Sequence, residues 1–334
     1  MSSAPPVSPL LSVIVPTYKR RGLTLRALES VLTQQSSWRV EAIVAIDGSP
    51  DDTAAAVRER YAGDARVQVL ELPHAGASAA RNAGFAVARG EFVCFLDSDD
   101  HWLPGTLAVF AAIFATQPAL AFASVDGCSI ARPDFPTIAH LVAHDSPGWT
   151  HARFATLAPP AAAAPPGCAP GARFLCGDFF APILFGDLFY LSAMVMRRDA
   201  VAAAGPFTER FRFFNDWEFF ARLCLQGPGA YLDHDGFRRD TGRPDQISRR
   251  RPITAMPRRQ LYILRSLPRR FPARASRYAA VLQSALDDAH YVMGRALLRS
   301  PHRRWARRYL LNCFQRGYKR ARCCALLAAA FLRK

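Results

Sequence analysis

Residues 91–100 read Glu-Phe-Val-Cys-Phe-Leu-Asp-Ser-Asp-Asp: an apolar run, Phe92 to Leu96, stops abruptly at three carboxylates within four residues. A short apolar run bounded by polar residues has the signature of a buried strand. Three similar runs precede it, Leu11 to Val15, Ala42 to Ile46 and Val67 to Leu70. Between the first two, Leu25, Leu28, Val31 and Leu32 recur at helical spacing within residues 23–34. Residues 51–60 follow a Gly-Ser-Pro turn with their acids early, as a helix start prefers. This alternation predicts an α/β domain with a mostly parallel central sheet flanked by helices. Such sheets bind ligands beyond the carboxyl ends of their strands.

Those ends carry the chemistry. Asp97, Asp99 and Asp100 repel one another, which raises their pKa values unless a cation neutralises them. Oxygen ligands of this kind suit Mg2+ or Mn2+, which takes one or two carboxylates and fills its shell with phosphate oxygens and water. The competing reading is a solvated acidic loop that caps the helix after Pro104. Strand one runs into Pro16-Thr17-Tyr18-Lys19-Arg20, which delivers a ring and a hydroxyl where a base or ribose can bind, or simply shapes a turn. Strand two ends in Asp47-Gly48-Ser49-Pro50-Asp51-Asp52-Thr53. There Asp47 can accept the imino proton of a uracil-like base, while Asp51 and Asp52 suit helix capping. Arg81, in the helix that begins near Gly76, is suited to a bidentate contact with a diphosphate or to pairing with one of the aspartates.

A last constellation spans Phe213 to Arg222, FFNDWEFFAR. Asn215 and Glu218 have capping-box spacing, and Trp217, Phe220 and Cys224 mark a buried face. Asp216 therefore falls on an exposed first turn, where the helix terminus is expected to lower its pKa and keep it ionised, as a base requires.

In this order and spacing, LSVIVPTYKR, AIVAIDGSPDDT, HAGASAARNAGFAVARGEFVCFLDSDDHWLPG and GPFTERFRFFNDWEFFARL resemble the inverting, GT-A-fold glycosyltransferases of family 2, over roughly residues 10 to 250. The resemblance implies donor binding by Pro16, Thr17, Tyr18 and Asp47 at the nucleoside, with Arg81 nearby. Asp97 and Asp99 then serve the ribose, the diphosphate and the metal, Mg2+ or Mn2+, with Ser98 and Asp100 extending that donor-binding cluster. It also implies that Asp216 is the catalytic base in a single in-line displacement with inversion. The donor is then a nucleotide sugar, a UDP-sugar by family habit, and the acceptor a saccharide or lipid-linked hydroxyl. Two departures stand out. Ile46 replaces a second aspartate often found before the Asp-Gly-Ser turn, and Phe237-Arg238-Arg239-Asp240 stands where the family often has Arg-x-His. His234 or Arg239 are the candidate stand-ins for that histidine.

Charge divides the chain. Residues 1–240 hold 20 Lys and Arg against 24 Asp and Glu, whereas residues 241–334 hold 23 against 3, within a total of 334 residues and net charge +16. The expected organisation is a disordered residue 1–9 segment, a GT-A domain at 10–240 with an Ala/Pro-rich mobile loop at 157–171, and a basic amphipathic helical extension at 241–334. In that extension Trp305, Tyr309, Leu310, Leu311 and Phe314 form an apolar stripe beside Arg303, Arg304, Arg307 and Arg308. It is suited either to an anionic membrane surface or to packing on the catalytic domain. Met1 to Pro9 lack signal-peptide character, no run reaches the length of a membrane span, and the eight cysteines show no disulfide framework. A cytoplasmic location, peripheral on the membrane's inner face, is expected. A dehydrogenase would need a glycine-rich loop after strand one, which is absent. A nucleic-acid binder would need a recognition motif, and none is found, so no nucleic-acid partner is expected. A metal-dependent nucleotidyltransferase remains the nearest rival.

Overall fold

The computed structural model describes residues 8–129, 157, 159–166, 168, 171–240, 252–300 and 302–332. β1 (Leu10–Thr17) is buried from Leu11 onwards on both faces, as a strand covered by helices on each side requires. It pairs in parallel with β2 (Arg39–Asp47) and with β4 (Phe92–Phe95), and β2 pairs in parallel with β3 (Val67–Leu72). The crossovers run through α1 (Arg21–Leu32), α2 (Thr53–Arg60) and α3 (Ala77–Val87). Gly84 lets α3 lie against β1, since a Cβ there would collide with the Ile14 side chain.

The expected parallel arrangement thus holds for β3-β2-β1-β4, and beyond β4 the sheet is mixed. β8 (Met194–Arg197) runs antiparallel to β4, and β6 (Phe122–Ser129) antiparallel to β8. β9 (Gly229–Arg239) is parallel to β6, while β5 (Asp100–Trp102) and β7 (Phe174–Gly177) are antiparallel to β9. Alternate residues of β1 serve opposite cores. Val13 and Val15 face α1 and α4 (Thr106–Thr116), whereas Ile14 joins Val93, Phe95, Trp217 and Phe219.

Residues 179–196, periodic and apolar in sequence, divide into a short α5 (Phe180–Ile183), a 3-10 turn at Leu191–Ala193 and β8. Then follow α6 (Arg198–Ala204) and α7 (Asn215–Leu223). Part of the Ala/Pro-rich stretch is described: Ala161 bridges Leu175, and the Ala162 amide donates to the Phe174 carbonyl at 2.8 Å.

The basic part forms α8 (Ala255–Arg270), α9 (Pro272–Ala275), α10 (Ala279–Leu298), α11 (Ala306–Gln315) and α12 (Arg320–Leu332). Its Leu261, Leu264, Leu267, Ala285 and Ala289 lie in the same apolar core as Trp217 and Phe219. Gln260 Nε2 donates to the Leu184 carbonyl at 3.0 Å, and the Tyr278 hydroxyl to Asp178 Oδ2 at 2.6 Å. The predicted stripe is split by this packing. Leu310 is buried, Tyr309 and Phe314 are partly covered, and Trp305 and Leu311 face outward. Seven of the described cysteines are free thiols, and no helix among the described residues is long and apolar enough to cross a membrane. Residues 1–7 and 241–251, included in the sequence reading, lie outside the described residues.

Candidate active site

The ends of β1, β2 and β4 meet the start of α7, and four predicted motifs come together there. At the end of β1, Pro16 is buried in the ladder opposite Ala45, and Thr17 is buried with its hydroxyl 2.7 Å from that of Thr24. Tyr18 emerges, 38% exposed, with its ring 4.5 Å from the His74 ring. Lys19 follows with φ +55 and donates its amide to Ser49 Oγ at 2.7 Å. A non-glycine residue in this region is strained and persists where its surroundings hold it. Here the hydrogen bond ties the β1 turn to the β2 turn.

Asp47, at the end of β2, is buried and accepts the amides of Ala75 at 2.7 Å and Gly76 at 3.0 Å, while His74 Nδ1 lies 3.0 Å from its Oδ2. Its carboxylate therefore pins the loop that begins α3. Gly48 makes this approach possible: it has φ +61, and a Cβ would stand 2.6 Å from the His74 nitrogen. The expected capping by Asp51 and Asp52 is not realised. Asp52 stands at the N-cap of α2 without a side-chain cap bond and pairs with Arg21 at 2.6 Å, while Asp51 accepts the Thr53 hydroxyl at 2.8 Å and the Ser49 hydroxyl at 2.6 Å.

The acidic cluster does not converge. Asp97 is 39% exposed on its side chain and pairs with Arg81 at 2.6 Å. Asp99 pairs with Arg20 at 3.0 Å. Asp100 turns inward, buried, and accepts the Ser192 hydroxyl at 2.6 Å, and Ser98 is buried beside it. The same Ser192 hydroxyl receives the Asp97 amide at 3.1 Å. Burial, then Asp97 and Asp99, push the Asp100 carboxyl well above the usual carboxylate range, against the pull of Arg239. Arginines thus pair with Asp97 and Asp99, while at Asp100 the repulsion read from the sequence persists. No group of three or more His, Cys, Asp or Glu side chains converges on a metal position among the described residues. Asp97 and Asp99 still fit a hard divalent ion, which takes one or two carboxylates and fills its shell with phosphate oxygens and water. Asp100 does not belong to that set. The capping alternative is not realised, since α4 starts after Gly105 with no acid in its first turn.

Asp216 requires a correction. It lies on the first turn of α7 as expected, but half-buried in the crevice rather than exposed, and its pKa is raised rather than lowered. Loss of hydration outweighs the hydrogen bond from the Trp217 amide and the attraction of Arg81; Asp97 raises the pKa further, and Arg239 opposes. The capping box is also absent. Phe214, at φ +54, precedes the helix, Asn215 Nδ2 donates to Ser78 Oγ at 2.6 Å, and Glu218 is buried against Arg222 at 2.8 Å.

Several neighbours escaped the sequence reading. Arg20 reads in the sequence as part of a turn, and nothing there announces its pairing with Asp99. His74 carries no signal of its own, because its ring meets that of Tyr18, tilted by 30°, only through the fold. Ser192 sits in a stretch with no motif. Of the two stand-ins for the family histidine, Arg239 lies at the cluster: it sits opposite Asp100 across the β5–β9 ladder, its guanidinium 4.8 Å from the Tyr190 ring centre. Burial opposes the charge of Arg239, but Tyr190, Asp100 and Asp97 more than offset it. His234 is half-buried on β9 with Asp235 as its charged neighbour.

A family model described as glycosyl transferase family 2 matches residues 12–180, just over half of the chain, from β1 through the acidic cluster. The chain belongs to glycosyl transferase family 2. The GalNAc(5)-diNAcBac-PP-undecaprenol beta-1,3-glucosyltransferase of Campylobacter jejuni is 39% identical to this family 2 chain over 102 residues, 30% of the chain and 33% of that protein. The chain spans about a third of the length of such curated relatives. Residues 1–349 of TarS from S. aureus, solved with UDP-GlcNAc, superpose with a TM-score of 0.55 at 18% identity, over 92% of each chain. The mannosyltransferase PcManGT of Pyrobaculum calidifontis, solved with GDP-Man and Mn2+, gives 0.54 at 18% identity, over 99% of this chain and 88% of that one. At these identities the likeness establishes a shared α/β fold.

Proposed function

We propose that the protein transfers a sugar from a nucleotide-diphosphate donor, a UDP-sugar, to an acceptor hydroxyl with inversion, in the synthesis of a cell-surface polysaccharide or glycolipid. The observation that carries this reading is the juxtaposition of Asp216, with its raised pKa, and the Arg81–Asp97 pair. A proton acceptor and an anion-binding group are what such a displacement needs on its two sides. Asp216 takes the acceptor's hydroxyl proton, the oxygen attacks the anomeric carbon, and the bond from that carbon to the diphosphate breaks with its electron pair on the diphosphate. Tyr18 and His74 offer the nucleoside base a stacking platform, with Thr17 and Asp47 holding the loops around it. Arg81, Arg20 and Arg239 surround the place where the diphosphate's charge grows. Asp97 and Asp99 would hold Mg2+ or Mn2+, which when bound supplies Lewis-acid stabilisation of that charge. TarS in complex with UDP-GlcNAc and PcManGT in complex with GDP-Man support the donor class, and the Campylobacter jejuni glucosyltransferase, whose name carries an undecaprenol-linked saccharide, supports the acceptor class. A cytoplasmic location, where the free thiols stay reduced, belongs to the same proposal.

The test is product identity. Incubated with a panel of nucleotide sugars, the protein is expected to release nucleoside diphosphate. Release of pyrophosphate would instead support the nucleotidyltransferase.

A further inference from the structure

The inward packing of the last helices leaves one face uncovered. In α11 and the 3-10 turn before it (Arg303–Trp305), Ala306, Leu310 and Cys313 turn into the protein. Arg303, Arg304, Trp305, Arg307, Arg308 and Leu311 turn outward, and Trp305 and Leu311 are each 46% exposed. Residues 304, 307, 308 and 311 stand on one side of the helix by their spacing of three and four. On the neighbouring α10, Asp287 is engaged by Arg316 at 2.6 Å and Asp288 by Lys319 at 2.9 Å.

We infer that this face docks the protein on an anionic phospholipid bilayer, with Arg303, Arg304, Arg307 and Arg308 on headgroup phosphates and Trp305 and Leu311 entering the interface. An indole beside guanidiniums matches the headgroup region, and a leucine matches the acyl boundary beneath it. A nucleic-acid backbone would engage the same arginines but would leave Leu311 uncovered. The inference goes beyond the transferase reading and does not rest on it, so either can fail alone.

The test is co-sedimentation of the full chain with phosphatidylcholine vesicles, with or without phosphatidylglycerol. Binding is expected only to the anionic vesicles, with release as salt rises and the screening length falls from about 10 Å at 0.1 M to about 3 Å at 1 M. The pair Arg304→Glu/Arg308→Glu and the pair Trp305→Ala/Leu311→Ala are each expected to weaken binding at least ~10-fold. The arginine variant should keep the wild-type melting temperature, because its side chains face solvent, and the Trp305→Ala/Leu311→Ala variant, whose side chains are about half covered, is compared at a temperature well below its own melting transition. Arg269→Glu/Arg277→Glu, exposed residues elsewhere with the same change of charge, should retain binding. Equal binding to both vesicles, retention by either face variant, loss in the control pair as large as in the face variants, or tighter binding to duplex DNA or RNA than to anionic vesicles would each overturn the proposal.

Discussion

Asp216 is a stronger base than a solvated aspartate because protein has replaced much of its water. The sign of the effect on rate follows directly. As the proposed base, Asp216 must be ionised, so the rate is expected to be fully present above its raised pKa and lost as pH falls through it. The acid limb of log kcat against pH is therefore expected above the ordinary aspartate value of about 3.9. A profile flat down to pH 4 (about the unperturbed value) would contradict this assignment. The acid's position on the first turn of a helix was legible in the sequence, but its burial was not. Spacing records which face of α7 packs, whereas the charges of Arg81, on α3, and Asp97, just beyond β4, act on Asp216 from distant parts of the sequence. At the proposed metal pair, Asp99→Asn would remove one hard ligand together with the partner of Arg20. Donor affinity and turnover should both fall, and wild-type turnover should stop in excess chelator and return with Mn2+. Full activity of chelated, metal-free protein would remove the ion from the account.

α7 is fixed by a buried ion pair rather than by a capping box. Glu218 and Arg222 are both inaccessible to solvent and joined at 2.8 and 2.9 Å. Arg222 also donates to the carbonyls of Ala204, Gly205 and Pro206, which anchors the loop that brings Phe207 beneath the Arg81 guanidinium. Glu218 further accepts the Thr208 hydroxyl at 3.0 Å and Arg270 of α8 at 3.4 Å. Removing one partner leaves a charge in the interior, so Arg222→Met is expected to cost about 3–5 kcal/mol in urea unfolding, well above a surface change. A cost under about 1 kcal/mol would show that the pair is dispensable. The sequence held both options, since Glu218 stands three residues after Asn215 and four before Arg222. Only the packing of Trp217 and Phe219 decides which way the carboxylate turns.

Over the whole molecule, the half of the sheet built from β1 to β4 was readable because each strand is a separate apolar run followed by its own helix. The other half was not, since β6 finds β9 across more than a hundred residues, pairing Phe122 with Gly229, and no local pattern encodes that meeting. The basic extension was legible as amphipathic helices, but where its apolar faces pack was left open. With Leu261, Leu264 and Leu267 in one core with Trp217 and Phe219, a chain ending at residue 250 uncovers several large side chains, each worth about 1.5–3 kcal/mol. Such a truncation should lose cooperative thermal unfolding, and one that melts at the full-length temperature would show the packing to be incidental. The central claim, sugar transfer driven by Asp216, is tested most directly by one comparison. Wild type and Asp216→Asn are mixed with nucleotide sugars, divalent ion and acceptor saccharides, and nucleoside diphosphate release is timed beside donor binding. The account predicts release by the wild type and a loss of roughly 100-fold or more in the variant, with donor affinity nearly unchanged. Equal release by both proteins, or none from any donor, would contradict it.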